Sequence, residues 1–189
     1  TVIVMMISLA VGLTTFTVFR INTLQSEGRK LAVLAMAETR NIGDEFLNQV
    51  IQLQELVQNQ QIITTVDLQN RQYSNVAPET IAEEIARREL EWQSATPQTL
   101  TTQYLERYPP TYESLQEFQA LSPANQLIYL TDAHGVVVTG TTPPERYYAQ
   151  EFSWWQRVSR GTPETVYISP LFYDRLGQQY YVEIALPIN

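Results

Sequence analysis

Residues 146–183 combine aromatic side chains with a few acidic ones, which is the composition of a concave site for a small ligand. Such sites are mostly apolar and gain their selectivity from a small number of placed polar groups. The candidate ligand contacts that the residues themselves suggest in this segment are Tyr147, Tyr148, Trp154, Trp155, Asp174 and Glu183. The chemistry that this set favours is binding.

Trp154 and Trp155 are adjacent on a predicted short helix, so their side chains point about 100° apart. We therefore expect one indole to pack into the core and the other to face a ligand. Tyr147 and Tyr148 precede this helix on a polar loop. They either form a lid over the pocket or seal an edge of the core.

Glu183 interrupts a strand pattern that is otherwise apolar, and it lies either on the exposed face or in the pocket. Its neighbours Tyr181 and Ala185 share its side of the strand, which favours the pocket. Asp174 precedes the bend at residues 175–177, where an aspartate commonly caps the turn. The alternative for Asp174 is contact with a ligand amine or cation.

An enzyme would need residue types that this chain lacks. It has no cysteine and a single histidine, which excludes a thiol nucleophile and argues against a histidine-rich metal site or a histidine-dependent triad. That histidine, His134, is expected to be exposed beside a hairpin turn. Glu151, Asp174 and Glu183 are the acids available for acid–base work on a sugar, but no phosphate-binding loop or metal cluster accompanies them. We expect no enzyme activity in this chain and no cofactor.

The formal net charge of −8 argues against nucleic acid as a partner, because a basic surface is needed there. The first nineteen residues carry no charge and end at Arg20. At 1.5 Å per residue they span roughly 28 Å, close to the thickness of a bilayer core. Residues 1–20 are therefore predicted as a transmembrane helix, in preference to a cleaved signal peptide or a buried core helix. Charge alone does not fix its orientation.

Residues 21–60 are predicted as a long stalk helix. Two rows of apolar residues repeat every eleven positions: Leu24, Ala35, Phe46 and Val57, and Leu31, Ile42 and Leu53. A period of eleven residues in three turns keeps a stripe on one side of a helix. The stripe either packs on the domain of the same chain or pairs two copies into a homodimer.

Residues 61–125 are predicted as a helical connection, with proline at helix starts and stops. Pro78 begins one helix with Ile81, Ile85 and Trp92 on its inner face. Pro97 begins a second, and Pro109 and Pro110 stop it. The apolar residues expected to face inward on the second and third helices are Leu100, Tyr104, Tyr108, Tyr112, Leu115, Phe118 and Leu121.

Residues 126–189 change to strand-like alternation. QLIYLT and VVVTG flank a DAHG turn and predict an antiparallel hairpin, in which Gly135 supplies a positive φ. FSWWQRVSRG follows as a short helix closed by Gly161. TVYIS, LFYD and QYYVEIALPI are predicted strands, the last one continuous. Because an exposed apolar edge strand is avoided in folded proteins, we expect further chain after Asn189.

The segments YLTDAHGVVVTG and YYAQEFSWWQRVSRGTPETVYISPLFYDRLGQQYYVEIALPI together resemble the membrane-distal half of double Cache domains of bacterial, including cyanobacterial, sensor proteins. The resemblance covers residues 110–189 in motif detail and the rest in layout. It implies an α+β fold in which a PAS-like antiparallel sheet lies against the stalk helix. It also implies an extracytoplasmic location, a small-molecule pocket on the other face of the sheet, and a cytoplasmic output module such as a histidine kinase, cyclase or chemoreceptor tail.

In Cache domains that bind amino acids, an arginine grips the ligand carboxylate, a tryptophan and the next aromatic line the pocket, and a strand tyrosine and aspartate receive the amine. By this resemblance Trp154 and Trp155 line the pocket, with Trp154 facing the ligand, and Asp174 receives an amine. Phe152 stands at the arginine position and Phe172 at the tyrosine position. A bidentate guanidinium is difficult to replace. We therefore expect a ligand other than a standard α-amino acid.

The function expected from these arguments is a small-molecule sensor in the inner membrane, homodimeric through its stalk, with the residues after about 20 outside the cytoplasm. The alternative is an anchored ectodomain that binds a protein partner or dimerises without a small ligand.

Overall fold

The computed structural model describes residues 40–175 and 177–188. The chain divides into two compact units, Thr1–Gln49 and Val50–Asn189. Of the first unit, residues 40–49 are described and are helical. The predicted transmembrane helix at 1–20 and the predicted stalk before residue 40 lie outside the described residues. None of the helices formed by the described residues is both long enough and apolar enough to cross a bilayer.

The second unit begins with helices. Its helical segments are α1 (residues 50–57), α2 (Gln60–Arg71), α3 (Pro78–Ser94), α4 (Pro97–Gln103), a 3₁₀ turn (Leu105–Arg107) and α5 (Pro109–Leu121), followed later by the short α6 (Ser153–Ser159). The described helix ends at residue 57, three residues before the predicted end of the stalk helix at residue 60, and α2 starts anew at Gln60. Asn59 caps that start, and its side chain accepts a hydrogen bond of 2.9 Å from the backbone of Gln61.

Three of these helices begin at a proline. The starts at Pro78 and Pro97 were predicted, whereas Pro109 was predicted only to stop the second helix and also starts α5. Pro78, Pro97 and Pro109 occupy the first turns of α3, α4 and α5, where a missing N–H leaves no helical hydrogen bond unmade. The inward residues of α3 are Ile81, Ile85 and Trp92, which are buried as predicted. Leu121 is 86% exposed, so its assignment to the inner face of α5 was wrong. It is the last residue of that helix, beyond the turns that face the core.

Strands β1 (Tyr129–Thr131) and β2 (Val137–Gly140) form the predicted antiparallel hairpin. Gly135 has φ +79° in its turn, as expected. Residues 147–149 run along the other side of β2, since the N–H of Val137 donates to the carbonyl of Tyr147 and the N–H of Ala149 donates to the carbonyl of Gly135. The segment 147–149 thus lies beside β2 as a third, irregular extended segment next to the hairpin.

Both faces of this hairpin are covered. Val137 packs with residues of α3, α4 and Tyr147, in a first cluster made of Ile81, Ile85, Trp92, Leu100, Leu105, Val136, Val137 and Tyr147. Val138 points the other way, into a second cluster made of Ile62, Val66, Leu115, Ile128, Leu130 and Val138. All four residues of β2 are buried. The expected pocket on an open face of the sheet is therefore not on this hairpin.

The remaining strands form two small antiparallel pairs. β3 (Tyr167–Ile168) pairs with β6 (Ile184–Ala185), and β4 (Phe172–Asp174) pairs with β5 (Gln179–Tyr181). The prediction of one continuous strand through QYYVEIALPI was wrong, because Val182 and Glu183 separate β5 from β6. The two halves pair with different partners. The described part of the unit is α+β with small antiparallel sheets, which confirms the predicted fold class at that level.

Candidate functional site

Trp154, Tyr129 and Glu183 come together where α6 lies beside β3 and β6. The rings of Trp154 and Tyr129 meet edge to face, with 5.7 Å between their centroids. Phe152 lies parallel to Trp154 at 6.4 Å. The charge of Glu183 acts on the Tyr129 hydroxyl, which also has a hydrogen bond with the Trp154 side chain. We call Trp154, Tyr129, Phe152 and Glu183 the aromatic–acid site.

The backbone of Glu183 is held in place by Ser169, which is buried. The Glu183 N–H donates to the Ser169 hydroxyl at 2.8 Å, and the Ser169 N–H donates to the Glu183 carbonyl at 2.9 Å. These bonds extend the β3–β6 pairing by one residue pair and account for the break in the predicted strand. The backbone from which the Glu183 side chain extends is consequently fixed.

The electrostatics of this site follow from partial burial. Burial raises the pKa of the Glu183 carboxyl, because the charged form loses solvation. Burial, and secondarily the charge of Glu183, raises the pKa of the Tyr129 hydroxyl. A half-buried carboxyl among aromatic rings is suited to hold an amine or a quaternary cation, through charge and through the face of an indole.

Trp155 has a different position from Trp154, as the angular argument predicted. A Cβ atom at Gly135 would lie 3.1 Å from Nε1 of Trp155, so this indole packs over the hairpin turn. Gln150 holds the same turn, since its side-chain amide donates to the carbonyl of His134 at 3.1 Å. Trp155 is thus placed as a packing residue and Trp154 as a member of the aromatic–acid site.

Tyr147 is 1% exposed and belongs to the first core cluster, so the structure places it as a core residue and not as a lid. Its ring centroid lies 5.3 Å from that of Trp92 and 5.6 Å from that of Tyr104. Its hydroxyl accepts a hydrogen bond of 3.3 Å from Arg88. Burial raises the pKa of Tyr147 to about 12. Tyr148 packs against the same cluster while half-exposed.

The loop that carries both tyrosines is fixed by Glu89, a residue that the sequence did not single out. Its Oε2 accepts the N–H groups of Tyr147 at 3.0 Å and Tyr148 at 3.1 Å. Its Oε1 accepts Nε of Arg146 at 3.1 Å. Arg146 also pairs with Glu151 at 2.5 Å. No local sequence pattern could reveal this role of Glu89, because its three hydrogen-bond donors lie 57 to 59 residues further along the chain.

Phe172 and Asp174 lie on the β4–β5 hairpin, whose aromatic side chains are exposed. Phe172 is 39% exposed and faces Tyr181 across the strands at 5.4 Å. Oδ2 of Asp174 accepts the N–H of Gly177 at 3.0 Å, which is the turn-capping role that the sequence offered as an alternative. Trp154 and Glu183 are therefore the two predicted contacts that share one site, and Tyr129 is the member that the sequence analysis missed.

Asp132 is a buried acid in the hairpin turn. Its Oδ1 accepts the N–H groups of His134 and Val136, each at 2.9 Å. Its Oδ2 is buried without a hydrogen-bond partner among the described residues. Burial raises the pKa of Asp132, while the two backbone donors lower it by less. His134 packs its ring against Tyr73 at 4.9 Å and is half-exposed.

Residues 40–175 and 177–188 contain no group of three or more histidine, aspartate or glutamate side chains arranged to hold a metal ion. Comparison of the chain with protein-family models, curated proteins and solved structures found no match.

Proposed function

We propose that this chain is the extracytoplasmic sensing part of a membrane-bound signalling receptor, and that it binds a small molecule with an amine or quaternary ammonium group. The observation that carries the proposal is the half-buried carboxyl of Glu183 beside Trp154 and Tyr129. A ligand cation there gains the charge of the carboxylate and the face of an indole. The sequence resemblance to double Cache domains supports the same class.

The ligand is not a standard α-amino acid held in the usual way. The position of the carboxylate-gripping arginine is taken by Phe152, and its ring stacks beside Trp154. An apolar ring at this point favours a ligand whose body is apolar next to its cation. The nearest arginine on the same loop, Arg146, is already engaged by Glu89 and Glu151.

Signal transmission follows from ligand-dependent movement of α6 and β6 relative to the helices of the chain. The receptor is proposed to be a homodimer paired through its stalk, with a kinase, cyclase or chemoreceptor module as its cytoplasmic output. A ligand can bias such an equilibrium only by its difference in affinity for the two states.

Isothermal titration calorimetry with tetramethylammonium and a series of primary alkylamines tests the site. Glu183→Gln is expected to weaken binding at least tenfold, because the attraction between the carboxylate and the cation is lost. Trp154→Ala should have a similar effect, while Glu164→Gln, an exposed acid of equal charge, should leave the affinity unchanged. Saturable amine binding that survives both site variants would place the ligand elsewhere and contradict the proposal.

The pH dependence provides a second measurement on the same variants. Since burial raises the pKa of Glu183, cation binding should release a proton and tighten as pH rises through that pKa. Glu183→Gln should remove this dependence.

Membrane attachment and orientation are tested separately. The chain expressed in a bacterial host is expected in the membrane fraction, with its C-terminal unit digested by protease added to spheroplasts. Recovery in the cytosolic fraction would contradict the receptor proposal even if a ligand binds.

A second candidate function is a protein-binding ectodomain, and the exposed aromatic rings of β4–β5 favour it. Phe172, Tyr173, Tyr180 and Tyr181 are between 39% and 68% exposed. Sedimentation analysis of the chain and of Tyr173→Ser/Tyr180→Ser distinguishes the two functions. Loss of self-association in this variant, together with silence toward amines, would favour the interaction module.

A further inference from the structure

A polar cleft opens along a second side of α6, away from Trp154. It has a volume of about 520 Å³ and is lined by one face of α6 and by the loop that follows. Ser153, Arg157 and Arg160 lie on that face, since residues three and four apart share a side of a helix. Trp154 lies about 100° around the helix from Ser153. The cleft is therefore separate from the aromatic–acid site.

Arg157 and Arg160 differ from Arg87, Arg88 and Arg146 in having no acidic partner among the described residues. Arg87 and Arg88 pair with Glu84, and Arg146 pairs with Glu89 and Glu151. Within the described residues, the guanidinium groups of Arg157 and Arg160 make no ion pair or hydrogen bond, and both side chains are exposed at the cleft. Two guanidinium groups one helical turn apart present a fork of donors to a single bound anion.

The opposite wall of the cleft is a pre-formed loop. The N–H of Thr162 donates to Oγ1 of Thr165 at 2.7 Å, and the N–H of Thr165 donates to the carbonyl of Thr162 at 2.9 Å. Gly161 permits this approach, because a Cβ atom there would lie 2.2 Å from Oγ1 of Thr165. The loop is thus ordered before any ligand arrives, which lowers the entropic cost of binding.

The net charge of the chain does not oppose this assignment. The sequence carries −8 overall, but charges beyond about 8 Å are largely screened at physiological ionic strength. Arg157 and Arg160 supply two positive charges at the cleft, against one acid, Glu164, on the loop of its opposite wall.

We propose that this cleft binds a small oxyanion, the carboxylate or phosphate group of an organic molecule, between Arg157 and Arg160. The site is independent of the aromatic–acid site and holds whether or not an amine binds there.

Calorimetric titration of the 189-residue chain with inorganic phosphate and with succinate tests this proposal. Arg157→Gln/Arg160→Gln should weaken binding of whichever probe binds by roughly a hundredfold, from the loss of two charged contacts. The matched control is Arg71→Gln/Arg175→Gln, which removes the same charge from two exposed positions outside the cleft and should change the affinity less than about twofold.

Far-UV circular dichroism of each variant checks that the fold is retained. Binding by one probe and not the other assigns phosphate or carboxylate as the anion. Absence of saturable binding of both probes in the millimolar range overturns the proposal, as does equal weakening in the control. Glu183→Gln and Trp154→Ala should keep full oxyanion affinity. Absence of amine binding at the aromatic–acid site would therefore not change the oxyanion result, and the two proposals can fail separately.

Discussion

Among the described residues, the hairpins β1–β2 and β4–β5 differ in composition, the first being richer in valine and leucine and the second in aromatic residues, and they are buried very differently. In β1–β2 every residue of β2 is buried. In β4–β5 the four aromatic residues are 39–68% exposed. Helices α2 and α5 cover one face of the first hairpin, and α3 and α4 cover the other. The burial of the first hairpin thus depends on the helices that pack on its two faces.

The largest expected difference in stability comes from replacing one large aromatic residue in each region. Trp92→Ala should lower the free energy of unfolding by about 3–5 kcal/mol, because Trp92 is 2% exposed and its Nε1 donates to the Pro144 carbonyl at 2.9 Å. Tyr180→Ala, at 68% exposure, should cost less than about 1 kcal/mol. Urea unfolding measures both. Similar losses in the two variants would mean that the second hairpin is covered after all.

Acidic side chains that accept backbone hydrogen bonds offer the next comparison. Glu89→Ala leaves the N–H groups of Tyr147 and Tyr148 without their acceptor and should cost about 2–3 kcal/mol. Asp174→Ala removes the hydrogen bond from the Gly177 N–H in a turn at the surface and should cost about 0.5–1 kcal/mol. Thermal and urea unfolding, with the exposed Glu83→Gln as control, give these values. A smaller effect at Glu89 than at Asp174 would contradict the proposed anchoring of the loop.

The two turns sharpen the comparison further. Gly135→Ala forces a Cβ into φ +79° and against Trp155, and should destabilise by about 1–2 kcal/mol. The turn of the second hairpin uses Gln178 at φ 52°. Gln178→Gly relieves that strain and should stabilise the protein by less than about 1 kcal/mol, since added chain entropy offsets part of the gain. Chemical denaturation of both variants checks that the two substitutions change the free energy of unfolding in opposite directions.

The smallest effect concerns Asp132 in the covered turn. Because burial raises its pKa, the folded chain holds this proton more tightly than the unfolded chain does. Its contribution to stability is therefore fully present below the unfolded pKa and decreases as pH rises toward the folded pKa. Asp132→Asn keeps an oxygen for the N–H groups of His134 and Val136 and should remove this slope. Unfolding measured from acid to neutral pH tests it, and an unchanged slope would assign the pH dependence to other acids, such as Glu183.

Local signals predicted much of this fold. The helix starts at Pro78 and Pro97, the DAHG turn with Gly135 and the pairing of β1 with β2 all depend on neighbouring residues, and all are confirmed. The break at Val182 and Glu183 was not predictable, because it results from pairing with Ser169. The continuous alternation through this segment concealed the change of partner.

The candidate site was predictable in part for the same reason. Trp154 and Glu183 were selected from residue type and position, and they share a site. Tyr129 was assigned only to a strand, since nothing near it in sequence shows that α6 will cover it. For Tyr147 the sequence left two alternatives open, a lid or a seal at the edge of the core. Its burial depends on Trp92 and Tyr104, more than forty residues earlier, so its local sequence could not decide between them.

The three tryptophans of the chain occupy three separate environments: the core beside Tyr147, the edge of Tyr129, and the turn at Gly135. Each is therefore a built-in optical reporter for one part of the molecule. Trp92 should emit at the bluest wavelength, and Trp154 should be the one whose emission responds to a bound cation. Variants that retain one tryptophan at a time would separate events in the core from events at the aromatic–acid site without any added label.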